Sequence, residues 1–127
     1  MNEIYAAIYS KLDADLTQPI LDHAPENYDT FPYVKLHPLE LDENDTDTET
    51  GFNATVQVSV YSRYRGSKEA ADIQQSIYNS LHRVTLADTA SYGISTIQQN
   101  YANILTDSDG LTRVGVQRFT VIFEPLP

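Results

Sequence analysis

Between Phe52 and Tyr61 apolar and polar residues alternate without a break. Phe52, Ala54, Val56, Val58 and Val60 fall on one side, and Asn53, Thr55, Gln57, Ser59 and Tyr61 on the other. Successive side chains of a strand point to opposite faces, so a period of two marks a strand buried on one face only. Such a strand needs neighbours on its edges and a second layer over its apolar face. The rest of the chain has to supply both.

Two segments can supply the second layer. In residues 2–16, Ile4, Ile8 and Leu12 recur at helical spacing with Tyr5 and Tyr9 beside them, and Thr17-Gln18-Pro19 ends the run. In residues 68–83, Ala70, Ile73, Ile77, Leu81 and Val84 form one stripe. Ser67 stands at the N-cap of that helix and Glu69 in its first turn.

Three further segments can supply neighbouring strands. Phe31–His37 is a short strand bracketed by Pro32 and Pro38, which suits a sheet edge or a strand terminus. Residues 94–105 and 112–123 are rich in Ile, Val, Thr, Tyr and Phe. Between them lies Asp107-Ser108-Asp109-Gly110, whose Asp-Gly pair signals a hairpin turn. Phe119, Val121 and Phe123 face one way, while Val114 and Val116 imply a bulge or a second buried face. Residues 20–30 carry punctuating prolines and no pattern. The order is helix, strand, loop, strand, helix, strand, strand, with no repeat and no linker. It predicts a single α+β domain over residues 1–127, with a mostly antiparallel four-stranded sheet and two helices packed on one face.

The loop between the first two strands is the compositional anomaly. Glu40, Asp42, Glu43, Asp45, Asp47 and Glu49 place six carboxylates within eleven positions. A run of like charge repels itself, so residues 40–51 are expected to be a long mobile loop. The alternation of Asp45, Asp47 and Glu49 invites a calcium-loop reading, but Thr50 stands where the glycine belongs and the closing glutamate is missing. A solvated loop is the better account.

Charge and composition remove several functions. With 18 acidic and 8 basic residues the net charge is −10, which opposes a grip on nucleic-acid phosphates. There is no cysteine, hence no disulfide, thiolate metal site or thiol catalysis. His23, His37 and His82 lack metal-ligand spacing, no Gly-x-Ser-x-Gly elbow occurs, and the five glycines form no phosphate loop. No enzyme site, cofactor or metal is expected. The first residues show no secretory signal, and no stretch has the length of a membrane span, so a soluble protein without a membrane partner is expected. Arg63, Arg65, Arg113 and Arg118 fall near the expected strand ends of this acidic chain. They either pair carboxylates of a neighbouring subunit or are ordinary solvated charge. Together with the six carboxylates of the loop they are the candidate subunit or partner contacts.

Three local strings resemble the tail completion (tail-to-head joining, or tail terminator) proteins of long-tailed bacteriophages. Phe31-Pro32-Tyr33-Val34 resembles the family's first strand. Val56 to Arg63, continued through Gly66-Ser67-Lys68-Glu69-Ala70, resembles its central strand, turn and helix start. Asp107 to Phe119 resembles its closing hairpin, with Val114 where histidine is common. The resemblance spans roughly residues 2–124, and the acidity of the 40–50 loop is its other departure. It implies a structural virion protein without catalytic residues. It further implies a homo-oligomeric ring, of six subunits, capping the head-proximal end of the tail tube. The partners so implied are the tail tube protein and the head completion or connector protein, with DNA passing through the lumen without specific binding. A head-closure or minor tail component, or a small protein-binding module, is the alternative.

Overall fold

The alternating segment becomes β4 (Phe52–Ser62), the middle of a six-stranded sheet. The computed structural model describes residues 2–25, 28–41 and 52–126. The other elements, in chain order, are α1 (Asn2–Asp15), β1 (Ile20–Leu21), β2 (Tyr33–Leu36), β3 (Glu40–Leu41), α2 (Lys68–Leu81), β5 (Tyr92–Thr106) and β6 (Arg113–Pro125). The sheet runs β1-β2-β4-β6-β5, and β3 also lies against β4.

The four expected strands are present as β2, β4, β5 and β6, but the sheet is larger than four strands and mixed. Ile20–Leu21 runs parallel to β2, pairing Ile20 with Val34 and Leu21 with Lys35. The Val34 N–H donates to the Pro19 carbonyl at 2.9 Å. The segment around residue 20 is therefore not wholly irregular, and β2 is not an edge strand: β1 flanks it on one side and β4 on the other. The flanking prolines shorten β2, because a proline has no N–H to give the ladder. Glu40 and Leu41, expected in the loop, pair with Thr55 and Ala54 as β3. The remainder of the acidic loop, 42–51, lies outside the described residues, and the expectation of mobility with it.

β6 lies antiparallel to the whole length of β4, from Phe52↔Phe123 to Ser62↔Arg113. β5 and β6 form the expected hairpin, with register shifts in β5 between Ile94 and Thr96 and between Gln99 and Tyr101. The bulges thus sit in β5, not beside Val114 and Val116. The hairpin is closed not by a two-residue Asp-Gly turn but by a loop over 107–112. Its ends meet where the Asp107 N–H donates to the Thr112 carbonyl at 2.8 Å. Gly110, at φ 71°, donates to the Asp107 carbonyl. The Asp109 carboxylate accepts from the N–H groups of Thr112 and Leu111 and from the Thr112 hydroxyl, each at 2.8 Å.

Both helices pack on the face of the sheet that carries Ala54, Val56, Val58 and Val60. Ile4, Ile8 and Leu12 of α1 and Ala70, Ile73 and Ile77 of α2 share one core with them and with Phe119, Val121 and Phe123. The two tyrosines beside the α1 stripe have a use: Tyr9 donates its hydroxyl to the Ile20 carbonyl at 2.7 Å, and Tyr5 to the Leu36 carbonyl at 3.0 Å. Ser67 occupies the N-cap of α2 but makes no capping bond with its side chain. The helix start is fixed instead by Ser62, whose hydroxyl donates to Glu69 at 2.6 Å. α2 stops at Leu81, short of Val84. His82 is extended, and Arg83 turns left-handed at φ 57° to donate its N–H to the Ile97 carbonyl.

Phe119 is wholly buried where β6 crosses beneath the helices. Phe119→Ala should lower the unfolding free energy by about 3–5 kcal/mol, measured by urea denaturation.

The hydrogen bonds to Asp109, those from the Thr112 and Leu111 amides foremost, hold its pKa down to about 2, from 3.8. A carboxylate depressed by folding contributes stability above its unfolded pKa and loses it as pH falls through the folded one. The thermal midpoint of the wild type should therefore exceed that of Asp109→Asn above about pH 4, and the gap should close towards about pH 2. A gap independent of pH would remove the carboxylate's charge from the account.

Candidate subunit interface

The helices cover one face of the sheet, and the other is formed by the intervening side chains of the same strands. Cross-strand register orders them in rows. Tyr33, Tyr61, Val114 and Leu105 lie side by side across β2, β4, β6 and β5. Gln57, Arg118 and Tyr101 form a parallel row. Among the described residues no helix packs on these rows, and Leu105 is 52% and Tyr101 40% exposed. Val114 and Val116 are only half-buried. They belong to this open second face, which accounts for their period without a bulge.

Charge is distributed unevenly. β2, β4 and β5 contain no carboxylate, and β6 only Glu124 near its end. The open face carries Lys35 and Arg118, with Glu40 of β3 beside Thr55 and Glu124 near the end of β6 on the same side. Arg118 lies over the Tyr101 ring, 4.7 Å from its centre, and its Nε donates to Gln57 Oε1 at 3.4 Å. An exposed cation–π contact of this kind is worth about 0.5–1 kcal/mol. It orients the guanidinium along the face, beside Glu40 and without an ion pair among the described residues.

Beside Arg118 a cavity of about 400 Å³ is lined by His37, Pro38, Glu40, Thr55, Gln57 and Arg118. His37 Nε2 lies 2.9 Å from the Ser59 hydroxyl. Burial lowers the pKa of His37 and the nearby Lys35 lowers it further, while Glu40 opposes them. The cavity thus brings together an imidazole, an arginine and a carboxylate, and the Ser59 hydroxyl that meets the imidazole is itself buried. Among the described residues no group of His, Asp or Glu could hold a metal ion.

The four arginines singled out by sequence do not form one cluster. Arg63 follows β4, stacks over the Phe31 ring at 4.2 Å and donates Nε to Thr112 Oγ1 at 3.3 Å. Arg65 is exposed in the following turn, and Arg113 is half-buried where β6 begins, opposite Ser62. These three share the hairpin end of the sheet. Arg118 is mid-strand, not near a strand end, because β6 continues well beyond it to Pro125. Among the described residues the ion pairs are Lys11–Asp15 and Lys68–Asp72, so none of the four arginines pairs with a carboxylate there. Of the six candidate carboxylates, Glu40 lies exposed in β3, and Asp42, Glu43, Asp45, Asp47 and Glu49 fall outside the described residues.

Sequence reasoning missed the aromatic end of the open face. Tyr33 stacks on Tyr61 with ring centres 4.7 Å apart, and Tyr28 and Phe31 pack edge-on and tilted against Tyr33. The signal was present as tyrosine in the polar phase of the β4 alternation.

Residues 4–124 match the family model described as tail completion protein gp17. Among solved structures, a chain in the virion of a native gene transfer agent particle superposes with a TM-score of 0.85 at 19% identity, covering 97% of this chain and 96% of that one. A second solved protein superposes with a TM-score of 0.58 at 12% identity, covering 99% and 95%. At these identities the superpositions establish the fold. No curated protein sequence matches the chain.

The site chemistry predicts that NMR titration will place His37 below the ordinary histidine value of 6.5. Lys35→Gln should move it upward, since one repelling cation is then gone. A His37 that titrates normally and ignores residue 35 would contradict the burial described here.

Proposed function

The chain belongs to the tail completion protein gp17 family, a family of structural phage tail proteins, and from that premise we propose that it caps the head-proximal end of a tail tube as a ring. The observation that carries the reading is the match over residues 4–124, nearly the whole chain. The ring has six copies and joins the tail tube protein on one side to the head completion or connector protein on the other. DNA passes through its lumen without specific contacts. The net charge of −10 supports that last point, because an acidic wall does not hold a phosphate backbone.

At the subunit boundaries Arg63, Arg65, Arg113 and Arg118 meet carboxylates of the neighbouring copy, among them Glu40 and the acidic residues 42–49. Exposed pairs of this kind contribute about 0–1 kcal/mol each. A ring held in part by them is weak in dilute solution and is stabilised by docking on the tube.

Cryo-electron microscopy of assembled tails tests the assignment. The expected outcome is a symmetric ring of this protein around an open channel at the head-proximal end. Its absence from that position, or a single asymmetric copy there, would refute it.

A further inference from the structure

We propose that the outer edge of β5 over residues 100–106 takes up an extended segment of a different protein of the particle as an added strand, with an uncharged, hydrogen-bond-donating side chain of that segment seated beside α2. The choice of a different protein rests on the ring reading above. β5 ends the sheet, with β6 on one side only. Its outer side is closed before residue 100, where the Arg83 N–H donates to the Ile97 carbonyl at 2.7 Å and the Gln99 N–H to His82 Nδ1 at 3.0 Å. From Asn100 to Thr106 no backbone group outside the sheet bonds this edge among the described residues. The Ile104 N–H turns to the Asn103 side chain at 2.8 Å rather than to β6. Alternate residues of an antiparallel ladder face the partner strand, so Ala102, Ile104 and Thr106 direct their backbone groups outward. All of residues 100–106 except Ile104 are exposed. Tyr92–Thr106 holds no charge and no proline, the usual protections of an edge, and its register shifts lie before Ala102.

Backbone chemistry selects the occupant. A row of outward N–H and C=O groups is matched by another strand, and the pockets beside it select the side chains. A cavity of about 280 Å³ lies at this edge, lined by Gln74, Gln75 and Tyr78 of α2, Gln99 and Ala102 of β5 and Gln117 of β6. Side chains of an added strand alternate between the two sides of the sheet, so those on the helix side meet this cavity. None of its lining residues is charged. Ala102, paired with buried Gln117, is exposed, and its methyl group leaves room there. Gln117 gives its amide hydrogens to the Gln74 carbonyl and to Gln99 Oε1, while its own buried Oε1 has no partner among the described residues. The cavity therefore lacks a donor, which a Ser, Thr, Asn or Gln of the incoming segment brings. A second copy fits less well. Its other outer strands, β1 and β3, are two residues each, and the Ile20 carbonyl already accepts the Tyr9 hydroxyl. That leaves it only its own β5, and β5 against β5 closes a two-fold pair instead of a ring.

The test compares the isolated chain with the same chain in assembled tails. Amide hydrogen exchange over residues 100–106 should slow at least about tenfold on assembly, since an added strand protects the outward N–H groups. The absence of native cysteine allows a second probe. Thr106→Cys carrying benzophenone maleimide should cross-link, in tails, to one stretch of one other protein. Two variants check that the contact matters. Ala102→Pro removes an outward N–H, and Ala102→Lys places a charge at the edge and fills the cavity. Competing with wild type, each should enter tails at least about tenfold less often. Ala6→Lys, the same change on an exposed position of α1, should enter as wild type does. Circular dichroism checks folding, and Ala102→Lys decides if Ala102→Pro does not fold. Unchanged exchange over 100–106 in tails, or entry of Ala102→Lys at the wild-type level, would overturn the inference. So would a cross-link from Thr106→Cys to β5 of a second copy, which is the self-paired outcome. A head-proximal ring whose 100–106 edge stays bare would sink this site and leave the ring reading intact. Protection of 100–106 in particles that carry the protein elsewhere would sink the ring reading and leave the strand site.

Discussion

Burial of one face of β4 is the constraint on which the rest of the structure depends. β4 has β2 and β3 along one edge and β6 along the other, so the sheet is built outward from it. Its apolar side chains have to be covered, and α1 and α2 cover them with stripes that would otherwise face water. A slip of one residue between β4 and β6 would send the apolar set of one of them, Val56 and Val58 or Phe119 and Val121, to the open face, so the burial fixes the register as well.

Polar groups reinforce that arrangement where the layers meet. α1 is held at one end by Glu3, which accepts from the Ser91 N–H at 2.9 Å, and at the other by Asp15, which accepts from the Ser80 hydroxyl at 2.7 Å. Beneath α2, buried Gln117 donates to the Gln74 carbonyl and to Gln99 Oε1. Its own Oε1 has no partner among the described residues, a desolvation cost typical of about 1–3 kcal/mol. Gly115, next along the same face of β6, lets Gln74 approach so closely that a Cβ there would lie 2.7 Å from its amide nitrogen. α2 is thus seated on β6 by amide contacts as much as by apolar ones. His82 Nδ1 accepts the Gln99 N–H, and the Arg83 N–H meets the Ile97 carbonyl, so the end of the helix also closes part of the free edge of β5. Guarded edges of this kind limit uncontrolled strand pairing. Among the described residues they leave the open face, rather than an edge, as the broad surface that no helix covers.

The two faces of one sheet therefore differ in what covers them. The face under the helices holds the fold. The other carries aromatic and aliphatic side chains, Lys35 and Arg118, and Glu40 beside Arg118. Membership of a phage tail family gives a domain with one covered and one open sheet face a setting in a larger particle.

The sequence by itself determined what depends on local period. The alternation in 52–61, the stripes of Ile4, Ile8 and Leu12 and of Ala70, Ile73 and Ile77, and the β-rich flanks of Asp109-Gly110 each name an element without help from the rest of the chain. The charge of −10 and the missing cysteines excluded whole classes of chemistry in the same way. The tertiary structure alone decided the remainder. Two-residue strands such as Ile20–Leu21 and Glu40–Leu41 have no period to read; they exist because a backbone partner lies beside them. For the same reason β2 is interior although its prolines suggest an edge. Arg118 lies mid-face because β6 runs on past it, and its neighbours Tyr101 and Gln57 come from strands distant in sequence. Which side of a strand meets the helices, and which is left uncovered, is settled only when every layer competes for the same core.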